Sequence, residues 1–322
     1  MVSSSEPWTA EARGGRGPRP ADGPRRDTRG IVDAPDLFAH VRFRRREPAP
    51  PLRPYLEHYW LIDWDLAEPY VTHVVPHPSV NAVFQRYGDE RPRGEVAGIG
   101  LGLFTRKLEG RGRVCGVQFR PGGFRPFAPG RPVSEWTGRQ VPDHEVFASA
   151  DAAAIVLPDD EDARVAALDA FLLGLGPKAD PQADRAMALV ELVRTDRTIR
   201  RVAQLSAAEG VSARTLQRLF AEYVGVGPKW VVLRYRVHEA LERAEAESHA
   251  SAASGTGSGE GVKDDGRGVK DDGRGVRVGR GEPDWAALAA ELGYSDQAHL
   301  VRDFTSTVGV PPTAYAATRT PR

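Results

Sequence analysis

The residues best suited to chemistry in this sequence are Arg214, Thr215, Gln217 and Arg218. They lie among Leu216, Leu219, Phe220 and Tyr223, which recur at i, i+3, i+4 and i+7. That spacing makes one buried stripe on a helix and leaves the four polar side chains on the other face. An arginine can donate two parallel hydrogen bonds to O6 and N7 of guanine, and a glutamine can pair with N6 and N7 of adenine. The chemistry implied is the reading of base edges, not the making or breaking of bonds.

Such a face needs a support. The stretch Asp196 to Tyr223 reads as a short helix, a turn and a second helix. Val202, Leu205 and Ser206 share one face of the first helix. Gly210 supplies a backbone that can turn with positive φ, and Ser212 is an N-cap for the helix that follows. This is the pattern of a helix-turn-helix whose second helix enters the major groove. Taken alone it is weak, because helical hairpins with glycine turns are common packing units.

An internal repeat strengthens it. Trp285, Leu288, Ala289 and Leu292 stand where Val202, Leu205, Ser206 and Glu209 stood, and Gly293 matches Gly210. Leu300, Arg302 and Phe304 match Leu216, Arg218 and Phe220 after a one-residue shift in the turn. The segment from Phe220 through Val224, Gly225 and Pro228 is matched by Phe304 through Val308, Gly309 and Pro312. One structural unit is therefore used twice. Pro228, tolerated in a first turn, opens a long helix that would space the two copies. Two reader helices about 34 Å apart can enter successive major grooves.

With these marks the segment from about Arg194 to Tyr315 resembles the DNA-binding domain of AraC-type transcriptional regulators. The marks are Ser212, Leu216, Arg218 and Phe220; Val224-Gly225 and Pro228; Arg236-Val237 and Ala240; Gly293-Tyr294; Leu300, Arg302 and Phe304; Gly309, Pro312 and Tyr315. The resemblance covers a little over a third of the chain. It implies seven helices, with two helix-turn-helix units joined by one long helix. It further implies base reading by Arg214, Thr215, Gln217 and Arg218 in the first unit and by Gln297, Ala298, His299 and Arg302 in the second. Ser212, Lys229 and Arg236 are phosphate-contacting or structural candidates, and Arg236 could instead pair with a carboxylate. The chain departs from the family in its long insertion. The region from Tyr55 to Phe147, with its YLEHYWLIDW and FRPGGF runs, resembles the small β-rich sensory half of some members.

The rest of the sequence sets bounds. At 322 residues there is room for two domains. The 44 basic residues equal the 44 acidic ones, so attraction to phosphate must come from a local surface. Arg214, Arg218, Lys229, Arg234 and Arg236 are expected to form it. The lone Cys115 excludes an intrachain disulfide and a cysteine-rich zinc site, and suits a reducing cytosol. No run of about 18 apolar residues predicts a membrane span, and the first twenty residues lack the apolar core of a secretory signal.

Residues 1–35 read as a disordered tail and 248–282, with GVKDDGR twice in tandem, as a disordered insertion. Residues 41–147 read as a β-rich domain, a compact antiparallel sheet or barrel, with β-like runs at Tyr55–Asp65, Val71–Phe84, Val96–Leu108 and Val114–Phe119. Residues 148–193 read as a helical connector or dimerisation segment, with helices over about 159–175 and 182–193. Residues 194–322 complete the chain as the DNA-binding domain. His58, His73, His77 and Cys115 could together suggest a metal, but Pro76 and Pro78 argue against the helix that would align His73 with His77, and core or loop histidines are favoured. Tyr55, Tyr59, Trp60 and Trp64 read as core more than as a pocket. Gly98, Gly100 and Gly102 lie in a β run and do not make a phosphate loop, and no nucleotide-binding or nucleophile motif is present.

The expected fold is α+β: a β-rich sensory domain followed by an all-α DNA-binding domain with two helix-turn-helix units. The expected function is a cytoplasmic, sequence-specific, DNA-binding transcription regulator controlled by a small molecule, with no catalytic residues, metal or cofactor. Expected partners are double-stranded DNA, a small-molecule effector, a second copy of the chain and, for an activator, RNA polymerase. A small-molecule-modifying enzyme domain tethered to a helical module is the alternative from another class, and a purely structural helical module is a third.

Overall fold

The computed structural model describes residues 30–147, 150–254 and 284–317. Its first part is antiparallel throughout. β1 (Ile31–Val32), β2 (Arg42–Arg46), β3 (Leu56–Val74), β4 (Asn81–Tyr87), β5 (Arg93–Ala97), β6 (Phe104–Phe119) and β7 (Gln140–Pro142) form one sheet. Its order is β1-β3-β6-β4-β5-β7, with β2 paired to β3. Short helix α1 (Ala34–His40) joins β1 to β2.

β3 and β6 are longer than the apolar runs that mark them. The Val71–Phe84 run divides into the end of β3, a loop carrying Pro76 and Pro78, and the start of β4. Proline lacks the N–H that a central strand must donate, so the sheet breaks there. The Val96–Leu108 run divides likewise around Gly98–Leu103, and its second half continues into Val114–Phe119 as β6. Trp60 pairs with Gly116 and Trp64 with Gly112 across β3 and β6. Each indole covers its glycine so closely that a Cβ there would overlap the ring.

The interior is filled. Tyr59, Leu61, Phe84, Cys115 and Val117 have no exposed surface, and the Tyr59 hydroxyl donates to Asp169 at 2.7 Å. The aromatic group is thus divided between core (Tyr59, Trp64) and half-buried positions (Tyr55, Trp60). Helices α2 (Ala152–Val156) and α3 (Glu161–Gly174) cover this sheet. Phe171 of α3 meets Phe84 edge-on with ring centres 5.5 Å apart. Asp63 ties the layers together, accepting from Arg44, from Arg113 at 2.7 Å and from Arg164 at 3.0 Å. Burial alone would raise the Asp63 carboxyl, but hydrogen bonds from Arg44 and Arg164 outweigh it and hold the group below its usual range.

α4 (Pro181–Thr195) leads to the helical part: α5 (Val202–Glu209), α6 (Ala213–Tyr223), α7 (Pro228–Ser254), α8 (Trp285–Glu291), α9 (Gln297–Val308) and α10 (Pro312–Ala317). α5–α6 and α8–α9 are the two helix-turn-helix units, and α7 spans between them. Two apolar clusters organise the packing. One runs from the β domain through α3 and α4 into α5, α6 and the start of α7, including Leu205, Leu216, Phe220 and Val231. The other holds the second unit, with Val237, Ala240 and Leu241 of α7 packed on Trp285, Leu300 and Phe304.

Two expected boundaries shift. Residues 30–35, read from composition as tail, are folded: Ile31 and Val32 pair with Val74 and His73, and Ala34 and Leu37 are buried. The apolar side chains of Ile31, Ala34 and Leu37 gain more by burial than the Arg- and Gly-rich residues before them could. Residues 1–29 lie outside the described residues. The helix of the spacer continues to Ser254, past the start expected for the insertion. The tandem GVKDDGR repeats lie outside the described residues.

Candidate nucleic-acid interface

Each candidate reader helix is set by its own sequence. α5 ends at Gly210, whose φ of 64° lies in the left-handed region that favours glycine. Ser212 then caps α6, its hydroxyl accepting from the Thr215 N–H at 3.1 Å. Leu216 and Phe220 are fully buried and Leu219 and Tyr223 half-buried, which fixes the rotation of α6 about its axis. Arg214, Thr215, Gln217 and Arg218 are exposed together. The Thr215 hydroxyl is already in contact with Ser212 Oγ at 2.9 Å, leaving its methyl as the freer group. Lys229 is exposed at the start of α7.

The second unit repeats the plan with a different cap. Asp296 caps α9 and accepts from the His299 N–H at 2.7 Å, a backbone bond that lowers its carboxyl further. Leu300 and Phe304 are buried, while Gln297, Ala298 and Arg302 are exposed. His299 is partly exposed and engaged by its own unit. Its Nδ1 lies 3.1 Å from Ser295 Oγ, its Nε2 lies 3.7 Å from Asp303, and its ring meets Tyr294 edge-on. Base contact by His299 would break that set.

The expected local basic surface is smaller than the sequence suggests. Arg234 is buried, lies 4.4 Å over the Trp230 ring and donates to the Leu101 carbonyl at 2.9 Å. Burial pushes its guanidinium down to about 10. Arg236 is half-buried over Tyr294 and donates to the Arg200 carbonyl rather than to a carboxylate. Burial lowers it too. Arg234 is thereby withdrawn from the surface, and Arg236 is engaged within the helical part. Arg214, Arg218, Lys229 and Arg302 remain outward, and Arg197 and Arg201 are also exposed.

Sequence reasoning missed the contacts that join the units. Arg200, ahead of α5, donates to the Glu291 carbonyl at 2.6 Å and lies against Gly293. Arg243 of α7 bridges to Glu291 at 2.5 Å and to Glu239 at 3.2 Å. The pairing of Arg200 with the turn of the second unit leaves no mark in local periodicity, because its partners are 91 residues away.

The β domain also touches both units. Arg125 pairs with Glu222 of α6, and the Thr137 hydroxyl donates to the Gly225 carbonyl at 2.7 Å. A cavity of about 430 Å³ lies between the β domain, α4, α7 and the second unit. His58, Arg120, Glu191, Tyr235 and the ring-stacked pair His77–His238, 4.0 Å apart, are among its lining groups. The candidate metal set is dispersed. His58 and His77 line this cavity, His73 contacts Thr105 at 3.0 Å, and Cys115 is buried in the β domain, its thiol pushed up to about 11 by burial.

The fold therefore defines a two-part protein, an antiparallel β domain followed by a helical domain with two helix-turn-helix units. Residues 44–142 match the model of DUF6597, a domain of unknown function. None of the curated proteins matches. Solved structures of ToxT from Vibrio cholerae are similar at low identity. An apo ToxT variant shares 15% identity over 84% of this chain and 99% of its own, with a TM-score of 0.38. Wild-type ToxT bound to an unsaturated fatty acid shares 12% over 84% and 96%, with a TM-score of 0.39. Among the described residues no helix is long and apolar enough to cross a membrane.

Proposed function

We propose that this chain is an AraC-type transcription regulator that reads duplex DNA with α6 and α9. One observation carries the reading: two units of the same internal repeat each bury their apolar stripe and expose the polar face, and both pack on the one long helix α7. Arg214, Gln217 and Arg218 are the base readers of the first unit, with Gln297 and Arg302 in the second; Thr215 and Ala298 offer methyl contacts. Lys229 and the helix N-termini meet phosphate. Arg236 holds the two units together.

The effector of this regulator is a small polar molecule, and the cavity between the domains is its site. The volume lies within the range of small-molecule pockets, while the interior of the β domain is filled. Binding there would bear on α7 and so on both readers, shifting a population between DNA-competent and other arrangements. Pairing of two copies, contact with RNA polymerase in an activator, and a cytoplasmic location belong to the same reading.

Selection of bound sequences from a random duplex library with the full chain tests it. The expected result is a two-part motif with centres about one helical turn apart. A one-part motif would remove base reading from α9, and a library with no enrichment would overturn the function.

A further inference from the structure

We propose that the loop Gly98–Leu103 of the β domain sets the separation of the two reader units, with Ile99, Leu101 and Leu103 as positioning residues. The inference rests on the DNA-reading function above for its meaning, though not for its geometry. The loop joins β5 to β6 and reads Gly-Ile-Gly-Leu-Gly-Leu.

The loop is anchored to its own domain. Gly98 N–H donates to the Arg139 carbonyl at 3.0 Å, and Gly138 N–H donates to the Ile99 carbonyl at 2.9 Å. A Cβ on Gly98 would fall 1.8 Å from the Trp136 carbonyl oxygen, and one on Gly100 2.7 Å from Pro76. Side chains at these two positions would push the loop off its support.

Its three aliphatic residues meet three parts of the helical domain. Ile99 is fully buried in the cluster shared with the first unit, and a Cβ built on Gly225 would stand 3.2 Å from Ile99 Cδ1. Leu103 packs on the cluster of the second unit, and a Cβ built on Gly309 would stand 3.3 Å from Leu103 Cδ2. Between them the Leu101 carbonyl accepts from Arg234 of α7 at 2.9 Å.

Gly225 and Gly309 are the same position of the internal repeat. Each follows its reader helix within Val-Gly-Val, and both have left-handed φ, 94° and 85°. One loop thus touches equivalent points of both units and the helix that joins them. Three contacts on one support oppose rotation of one unit against the other about α7. The spacing accepted between two half-motifs becomes a property of the β domain, not of the reader helices alone.

The test uses the full chain with Ala213→Cys and Ala298→Cys, both exposed at the starts of α6 and α9, carrying spin labels; buried Cys115 stays unlabelled. Double electron–electron resonance should give one narrow distance distribution, and Leu103→Ala should widen it or add a second distance. Arg234→Met, which keeps the bulk and removes the donor, should act in the same direction. Leu103 is only half-buried, and unchanged near- and far-ultraviolet circular dichroism will show the variant folded. On DNA, the unlabelled chain without the cysteine substitutions should lose on the order of tenfold when one base pair is inserted between half-motifs, as for one lost bidentate contact. Leu103→Ala should lose less than about threefold, each half-motif being still readable. An unchanged distance distribution in a folded Leu103→Ala variant overturns the inference, whatever DNA does. A widened distribution with no enriched motif supports it and sinks the DNA-reading function instead.

Discussion

Arg218→Ala separates base reading from mere phosphate contact. Arg218 is exposed on α6, on the face opposite Leu216 and Phe220. Alanine is at least as good a helix former, so the fold should be unmoved and any loss assigned to the interface. A bidentate arginine–guanine contact is worth about 1–3 kcal/mol, which corresponds to a loss of roughly 5- to 150-fold in affinity. A phosphate contact would lose affinity evenly across sequences and reduce the salt slope by about one. Fluorescence anisotropy should be run on the selected duplex, on duplexes changed one base pair at a time, and at two or more salt concentrations. For a base reader the loss falls on the selected duplex, and one base pair ceases to matter to the variant. An equal loss on every duplex with a shallower salt slope would refute base reading, and an unchanged titration would remove Arg218 from the interface.

Two further predictions concern the β domain. The Cys115 thiol, held up at about 11, should resist a maleimide at pH 8 in the native protein and react at once in denaturant; fast native labelling would show the core open there. Because the unfolded thiol ionises near 8.5, the unfolded state loses its proton first, and this stability is lost as pH rises from there towards 11. Asp63→Asn should lower stability by about 2 kcal/mol, less than the cost of breaking a fully buried pair, since 24% of the side chain is exposed. The Asp63 carboxyl is lowered in the folded state, so its contribution is present above the unfolded value near 3.9 and vanishes as pH falls through the folded one. The gap in Tm between wild type and variant should close on acidification; a constant gap would show that the charge is not what matters.

The elements that repeat or cap themselves could be read directly from the sequence. Ser212, Gly210 and the stripe from Leu216 to Tyr223 act within one turn of each other, so local rules suffice. The same holds for Pro228 and for the matched Phe220 and Phe304 segments. The β domain was legible as β and antiparallel, but not in its strand lengths. The middles of β3 and β6 carry Asp65, Glu68, Arg106, Lys107 and Glu109, which look like loop residues, although Asp65, Arg106 and Lys107 are paired in the ladder and Glu68 and Glu109 lie at its bulge between Leu66 and Tyr70. Arg234 and Arg236 misled for a related reason. On a helix surface an arginine signals solvent, and only tertiary packing reveals a carbonyl and an aromatic ring beneath it. The partners of Arg200 and the role of Gly98–Leu103 were hidden by sequence separation, although the equivalence of Gly225 and Gly309 was already visible in the repeat.

The apolar cluster that passes from the β domain through α4 into α5 and α6 also decides how the molecule comes apart. The sequence places a domain boundary at 193/194, yet Val193, Ile199, Leu205 and Leu216 lie in one continuous core with Phe119 and Phe124. Heat or denaturant should find the first reader unit and the β domain melting together, as one cooperative block. The second unit has its own cluster and reaches the block through α7, Val75 and the edge contacts of Val32 and Leu103. Its opening can precede the rest, leaving a protein that still holds one reader in place. On the proposed reading, partial unfolding would then leave one DNA-reading unit in place while the β domain stays folded.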